Sequence, residues 1–129
     1  MLPRARRAFT LIELLIVVVI IGIIASIAIP KFQNTKGKAN AASLRADLRN
    51  LASAQEAYFF EKSMFSTDTT LLKMNTSPGV VLTIIEATAA GWSAKATHPN
   101  SYPMTCAIYG GKVGALPSPA TTEGLVACN

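Results

Sequence analysis

The feature that most constrains the fold of this 129-residue chain is an apolar stretch near its N-terminus. The stretch runs from Phe9 to Pro30 and contains one charged residue, Glu13. As a helix, the 21 residues from Phe9 to Ile29 would span about 31 Å, close to the roughly 30 Å of a bilayer core. This stretch therefore predicts a segment that crosses a membrane, and any fold must leave that segment free to do so.

The net charge of +5 is concentrated ahead of the apolar stretch. Residues 1–8 carry three arginines and no acid, whereas the chain from Phe9 onward has nine basic and seven acidic residues. Basic residues ahead of a membrane segment favour a cytoplasmic N-terminus, although Lys31, Lys36 and Lys38 compete from the other end. Without residues 1–30 the composition is that of one small soluble domain.

Two general interpretations of the apolar stretch leave something unexplained. It could be a secretory signal peptide cleaved near Ser26-Ile27-Ala28, but it is longer than a usual signal core and Glu13 interrupts its start. It could be a plain membrane anchor, but an anchor has no use for Glu13. A lone carboxylate costs about 2.5–3.5 kcal/mol at the membrane centre. A chain that keeps this carboxylate is therefore expected to use it.

A third interpretation rests on the residues around Glu13. The sequence AFTLIELL, residues 8–15, resembles the processing site of the type IV pilin and pseudopilin family. That resemblance implies that a basic leader is removed between Ala8 and Phe9 by a membrane aspartic peptidase, and that Phe9 is then N-methylated. Ala8 departs from the family, whose leaders normally end in Gly, but Ala has the next smallest side chain. Gly22 and Pro30 also fall where such pilins carry Gly and Pro.

The resemblance gives Glu13 a role in subunit assembly. Cleavage would expose an ammonium group on Phe9, and that charge and the Glu13 carboxylate are both costly in apolar surroundings. Pairing lowers the cost of both charges. The resemblance implies that the pair forms between neighbouring subunits and registers each incoming one. A local contact of Glu13 with its own N-terminus, or with water at the interface, remains the alternative.

Gly22 and Pro30 predict a weak point in the helix. Pro30 removes a backbone donor and disfavours helix at the residue before it, so a kink or local melting is expected there. Gly22 lowers helix propensity by about 1 kcal/mol relative to Ala. The resemblance implies that the segment between them can unwind in an assembled filament.

The remaining chain predicts a second helical region followed by strands. Apolar side chains recur at helical spacing between Phe32 and Lys62, namely Leu44, Leu48, Leu51, Tyr58 and Phe59. Residues 63–79 are expected to form a loop with one short helical turn. Strands are predicted at 80–86, 92–97 and 105–109, with a short fourth strand at 112–115 and an irregular tail from Leu116.

The predicted fold class is α+β: a long N-terminal α-helix with an apolar first half, packed on a small antiparallel β-sheet, as in pilins. Four parts are expected, namely a leader (1–8), a transmembrane and filament-core helix (9–30), an amphipathic second half of the helix (31–62) and a globular part (63–129). Cys106 and Cys128 predict one disulfide that closes a C-terminal loop, because a single pair follows a membrane segment. Two free thiols are the alternative.

No arrangement of residues typical of catalysis or metal binding is present in the sequence. The sole histidine, His98, has no Asp, Cys or second His at a useful spacing and is expected at a strand end or on the surface. Trp92 is expected in the core. The chain is therefore predicted to be no enzyme and to need no cofactor. A basic stripe could form from five residues, namely Lys31, Lys36, Lys38, Arg45 and Arg49. It lacks interleaved aromatic residues, which argues against DNA binding.

The sequence thus predicts a structural subunit of a type IV pilus. Its precursor would be held in the bacterial inner membrane and processed by a prepilin peptidase. The pilus assembly machinery would then build it into a homo-oligomeric helical filament on the cell surface. The alternatives are a minor pilin, a type II secretion pseudopilin, or a membrane-anchored extracytoplasmic binding module.

Overall fold

The computed structural model describes residues 8–101 and 105–129, which form one long helix and a four-stranded sheet. The elements are α1 (Leu11–Lys62), β1 (Val81–Ala87), β2 (Gly91–Thr97), β3 (Thr105–Gly111) and β4 (Ala127–Cys128). The strands lie in the order β1-β2-β3-β4, and each neighbouring pair is antiparallel. This architecture confirms the predicted α+β, pilin-like fold class.

The chain divides into two compact units, Met1–Gln33 and Asn34–Asn129. Within the first unit the structure describes residues 8–10 and the apolar part of α1. The second unit contains the rest of α1, the sheet and the connecting loops, and it holds the whole of the buried apolar cluster.

Helix α1 ends where the backbone turns into the left-handed region. Ser63 has a φ of 57°, and its amide donates to the carbonyl oxygen of Phe59 over 2.7 Å. A left-handed residue just beyond the last helical one is a common way to satisfy the final carbonyls of a helix. The helix therefore ends at Lys62, as the sequence predicts.

The core of the second unit lies between one face of α1 and the inner face of the sheet. Leu44, Leu48 and Leu51 are fully buried at helical spacing. They belong to one cluster with sheet residues that include Trp92, Ala94, Ala96, Cys106 and Ile108. Full burial of each large apolar side chain stabilises the fold by about 1.5–3 kcal/mol. The predicted helical stripe and the core position of Trp92 are both confirmed.

A glycine makes room for the indole of Trp92. In the antiparallel register of β2 and β3, Trp92 lies opposite Gly110. A Cβ atom at position 110 would stand 2.8 Å from the indole Nε1 of Trp92. The largest side chain of the core therefore rests on the one residue type whose backbone leaves it space.

Two buried polar side chains of α1 hold the loop of residues 63–79. The Nε2 of Gln55 donates to the carbonyl oxygen of Ser66 over 2.6 Å, and its Oε1 accepts from the Ser66 amide over 3.0 Å. The carboxylate of Asp47 accepts from the amide and the hydroxyl of Ser77 over 2.7 and 2.9 Å. The loop contains the single helical turn that the sequence predicts, in which the Leu72 amide donates to the carbonyl oxygen of Asp68 over 3.3 Å.

The predicted fourth strand is wrong. Residues 112–115 are irregular, because the amide of Gly114 donates to the Glu86 carboxylate at 2.9 and 3.1 Å instead of joining a ladder. The fourth strand is Ala127–Cys128, paired with Cys106 and Ala107 of β3. A disulfide between Cys106 and Cys128 holds it there, with the two Cα atoms 4.0 Å apart.

Candidate functional site

The apolar segment of α1 is the largest exposed hydrophobic surface that the structure describes. Across residues 8–101 and 105–129, α1 is the one helix long and apolar enough to cross a membrane. None of its most apolar part is buried inside the chain. A surface of this size needs lipid or other protein to cover it.

At its N-terminal end, α1 begins with reciprocal hydrogen bonds between Thr10 and Glu13. The amide and the hydroxyl of Thr10 both donate to Oε2 of Glu13 over 2.8 Å. The amide of Glu13 in turn donates to the hydroxyl oxygen of Thr10 over 3.2 Å. This arrangement is a capping box, in which two side chains satisfy amides that the first helical turn leaves without partners. We call this pair the Thr10–Glu13 capping box.

The peptide bond between Ala8 and Phe9 lies just outside the helix. Residues 8–10 have no regular secondary structure, and both Ala8 and Phe9 are exposed. The Phe9 side chain is 79% exposed. The rest of the predicted leader, residues 1–7, lies outside the described residues.

Helix α1 is continuous through Gly22 and Pro30. The kink or local melting expected at these two residues remains a prediction. Ser26, within this segment, donates its hydroxyl to the carbonyl oxygen of Ile23 over 2.7 Å, which adds one side-chain bond to the helix. Unwinding of the segment in a filament remains a prediction.

His98 plays a structural role at the end of β2. It follows the last strand residue, Thr97, so the expected strand-end position is confirmed, and it is 8% exposed, so the other alternative, a surface position, does not apply. Its ring lies against Gly79, whose φ of 82° favours glycine and where a Cβ would collide with the imidazole. The Nδ1 atom accepts the amide of Asn100 over 3.0 Å. Packing against this glycine explains the burial.

Within the described ranges, the chain contains no group of three or more His, Cys, Asp or Glu side chains that could hold a metal ion. Asp47 accepts hydrogen bonds from the amide and the hydroxyl of Ser77, and Glu123 accepts one from the amide of Gly111.

Thr10 is the residue of this site that the sequence interpretation missed. The order Thr10-x-x-Glu13 ahead of an apolar run is the sequence signature of a capping box. The interpretation assigned Glu13 to a contact between subunits and so overlooked its neighbour three residues earlier. In the uncleaved chain the structure gives Glu13 a local partner, the amide and hydroxyl of Thr10.

Comparisons with known proteins agree with this site. A family model described as the prokaryotic N-terminal methylation motif matches residues 3–29. The chain is 31% identical over 120 residues to the type IV wide pilus major component PilA4 of Thermus thermophilus. This match covers 90% of the chain and 84% of PilA4. It is 47% identical over 64 residues to the type IV major pilin PilA of Myxococcus xanthus. It is 35% identical over 78 residues to the type II secretion system core protein G of Klebsiella michiganensis.

The last two matches concern only part of each relative. The match to the Myxococcus pilin spans 50% of this chain and 29% of that protein. The match to the Klebsiella protein spans 60% of this chain and 55% of that protein. The fold and the methylation motif define the class as pilins and pseudopilins. Because the similarity to PilA4 extends over most of both proteins, the chain belongs to the type IV pilin family.

Proposed function

We propose that this chain is a structural subunit of a type IV pilus filament. Residues 1–8 serve as a leader, 9–30 as the membrane and filament-core helix, 31–62 as its amphipathic continuation and 63–129 as the globular part. The precursor is held in the bacterial inner membrane until a prepilin peptidase cleaves it after Ala8. The assembly machinery then polymerises the chain, with Phe9 N-methylated.

One observation carries this proposal: the exposed apolar segment begins at the Ala8–Phe9 bond and has Glu13 four residues further on. The segment has no cover inside the chain, so it needs lipid before assembly and neighbouring helices afterwards. One segment then serves both environments in turn. The similarity to the Thermus pilus component over most of both chains supports the same assignment.

In the assembled filament, Glu13 pairs with the ammonium group of Phe9 on a neighbouring subunit. Before assembly, the carboxylate accepts hydrogen bonds from Thr10 of its own chain, so it is not left without a partner. Cleavage creates the ammonium partner one residue before Thr10. An unpaired ammonium in the filament core would be costly, so the pair favours correctly registered subunits.

The cleavage step is tested by intact-mass and N-terminal analysis of the chain recovered from producing cells. The expected mature chain begins at Phe9 and carries a methyl group on its nitrogen. A mature chain that begins at Ile29 would indicate ordinary secretion and would overturn the proposal.

The pairing step is tested with Glu13→Gln, which keeps the shape of the side chain and removes its charge. We expect the variant to be cleaved after Ala8 but to form few or no filaments in sheared surface fractions. Glu56→Gln is the matched control, since Glu56 is an exposed acid on the same helix beyond the apolar segment. Filaments of Glu13→Gln at the wild-type level would refute the role given to the carboxylate.

The similarity to type II secretion core protein G supports a second candidate, a pseudopilin. Both candidates use the same processing and the same helix packing, so the two are separated by phenotype. Deletion of a pilus subunit removes surface filaments and leaves exoprotein secretion intact. Deletion of a pseudopilin abolishes exoprotein secretion and leaves surface pili intact.

A further inference from the structure

Four hydrogen bonds of Thr10 fix the start of α1. Three join it to Glu13 in the Thr10–Glu13 capping box. The fourth is the first backbone bond of the helix, from the Leu14 amide to the Thr10 carbonyl oxygen at 3.3 Å. The helix therefore begins at Leu11, and Ala8 and Phe9 remain exposed and non-helical.

The conformation of these two residues matters for hydrolysis of the bond between them. In an α-helix each carbonyl is bonded to the amide four residues later, so a helical Ala8 carbonyl would be tied to Ile12. Hydrolysis needs that carbonyl free. A water oxygen bonds to the Ala8 carbonyl carbon, the C–N bond breaks, and the Phe9 nitrogen leaves as an amine, which gains a proton. The products are a carboxylate on Ala8 and an ammonium group on Phe9.

Without the cap, the helix has a reason to extend toward the leader. The amides of the first turn would lack partners, which is costly near a membrane where little water is available. The carbonyls of Ala8 and Phe9 are the nearest acceptors upstream, and Ala is the best helix former. An extended helix would satisfy those amides and would enclose the Ala8–Phe9 bond.

We propose that Thr10 is a positioning residue for leader removal: with Glu13 it caps α1 and keeps the Ala8–Phe9 peptide bond outside the helix, where the peptidase reaches it. This inference rests on the proposed cleavage after Ala8. It assigns Thr10 a role that is separate from the pairing of Glu13 in the filament.

The test measures cleavage of the full chain produced together with a prepilin peptidase, following precursor and mature masses in membranes over time. Thr10→Ala should slow cleavage about threefold to tenfold, the scale expected for loss of an N-cap side chain. Thr10→Ser keeps the hydroxyl and should stay within about twofold of wild type. Ser26→Ala, which removes a hydroxyl bonded inside the same helix, is the matched control and should leave the rate unchanged.

One further variant separates helix capping from direct recognition of Thr10. Thr10→Ala combined with Leu11→Pro should recover most of the lost rate. Proline is favoured at the first helical position and disfavours helix at the residue before it. A peptidase that reads the Thr10 hydroxyl directly would gain nothing from the proline.

The outcomes are distinguishable from failure of the proposed function. If wild-type chain is cleaved after Ala8 and Thr10→Ala is cleaved equally fast, the positioning role is wrong. It is also wrong if the double variant stays as slow as Thr10→Ala. If wild-type chain is never cleaved after Ala8, the proposed function itself is overturned.

Discussion

At the scale of single residues, a few buried polar side chains do the work of attaching loops to α1. Gln55 has no exposed surface, and both ends of its amide bond to the backbone of Ser66. A buried amide paired at both ends stabilises the fold, whereas the same groups left unpaired would cost about 1–3 kcal/mol. This makes Gln55 a structural residue in a position where the periodicity alone predicts an apolar one.

We expect Gln55→Leu to lower the free energy of unfolding by about 1–3 kcal/mol, because the Ser66 amide and carbonyl lose their partners. The measurement is chemical unfolding in detergent, followed by the near-ultraviolet circular dichroism of Trp92. Ser53→Ala is the control, since Ser53 is exposed and bonds only to the carbonyl of its own helix. Equal stability of Gln55→Leu and wild type would contradict the structural role.

Asp68 predicts a small acid-dependent contribution to stability. The hydroxyl and then the amide of Thr70 donate to its carboxylate and hold the pKa of Asp68 below its usual value. Because the folded pKa is the lower one, the contribution is present above the unfolded value of about 3.9 and is lost as pH falls through the folded pKa.

In Asp68→Asn this dependence should disappear. The stability difference between wild type and the variant is expected to be constant from pH 7 to about pH 5 and to shrink as pH falls below about 4. Unfolding midpoints at a series of pH values measure it. A difference that stays constant down to pH 2 would show that the Thr70 contacts have no influence on the carboxylate.

At the scale of elements, the helix and the first three strands were predictable because each carries its own periodic signal. The predicted strands 80–86, 92–97 and 105–109 lie within one or two residues of β1, β2 and β3. The fourth strand was not predictable, since Ala127–Cys128 has two residues and owes its place to pairing with Cys106. Such pairing joins residues that are far apart in the sequence, so the local pattern of apolar and polar residues does not predict it.

The candidate site was predictable in part for the same reason. The apolar run and Glu13 stand out in the sequence, but the contact partner of Glu13 depends on where the helix begins. That start is set by Thr10, whose signal is a short spacing rather than a long pattern. The burial of His98 depends on its contact with Gly79, nineteen residues away in sequence, so local sequence patterns could not predict it.

The contact between α1 and the sheet predicts a large effect of cavity formation. Leu48 is fully buried among sheet residues, so Leu48→Ala should cost about 2–5 kcal/mol. Arg49→Ala, one position further along on the exposed side, should stay within about 0.5 kcal/mol of wild type. Denaturant unfolding of both variants in the same detergent makes the comparison. Similar losses in the two would place the core elsewhere.

At the scale of the whole molecule, the two compact units have opposite needs. The second unit, Asn34–Asn129, contains the complete buried cluster and the disulfide, whereas the described side chains of the first unit are almost all exposed and apolar. One chain therefore combines a part that buries its own apolar side chains with a part whose apolar side chains are unfavourable in water.

A chain that begins at Asn34 should fold in water without detergent and run as a monomer in size-exclusion chromatography. The full-length chain should need detergent and associate when it is removed. The near-ultraviolet signal of Trp92 should be the same in both, because its neighbours all lie in the second unit. Loss of that signal in the shortened chain would mean that the first unit helps to form the core.

The register shift in β1 affects how one copy of the chain can pair with another. β1 is one of the two edge strands of the sheet, and Val81 and Ile85 on it are more than half exposed. A flat apolar edge held at high local density would join the same edge of another copy into a continuous ribbon. The β-bulge between Ile84 and Glu86 breaks the regular spacing of hydrogen-bonding groups that such a ribbon requires. The bulge therefore disfavours pairing of this edge with the same edge of another copy.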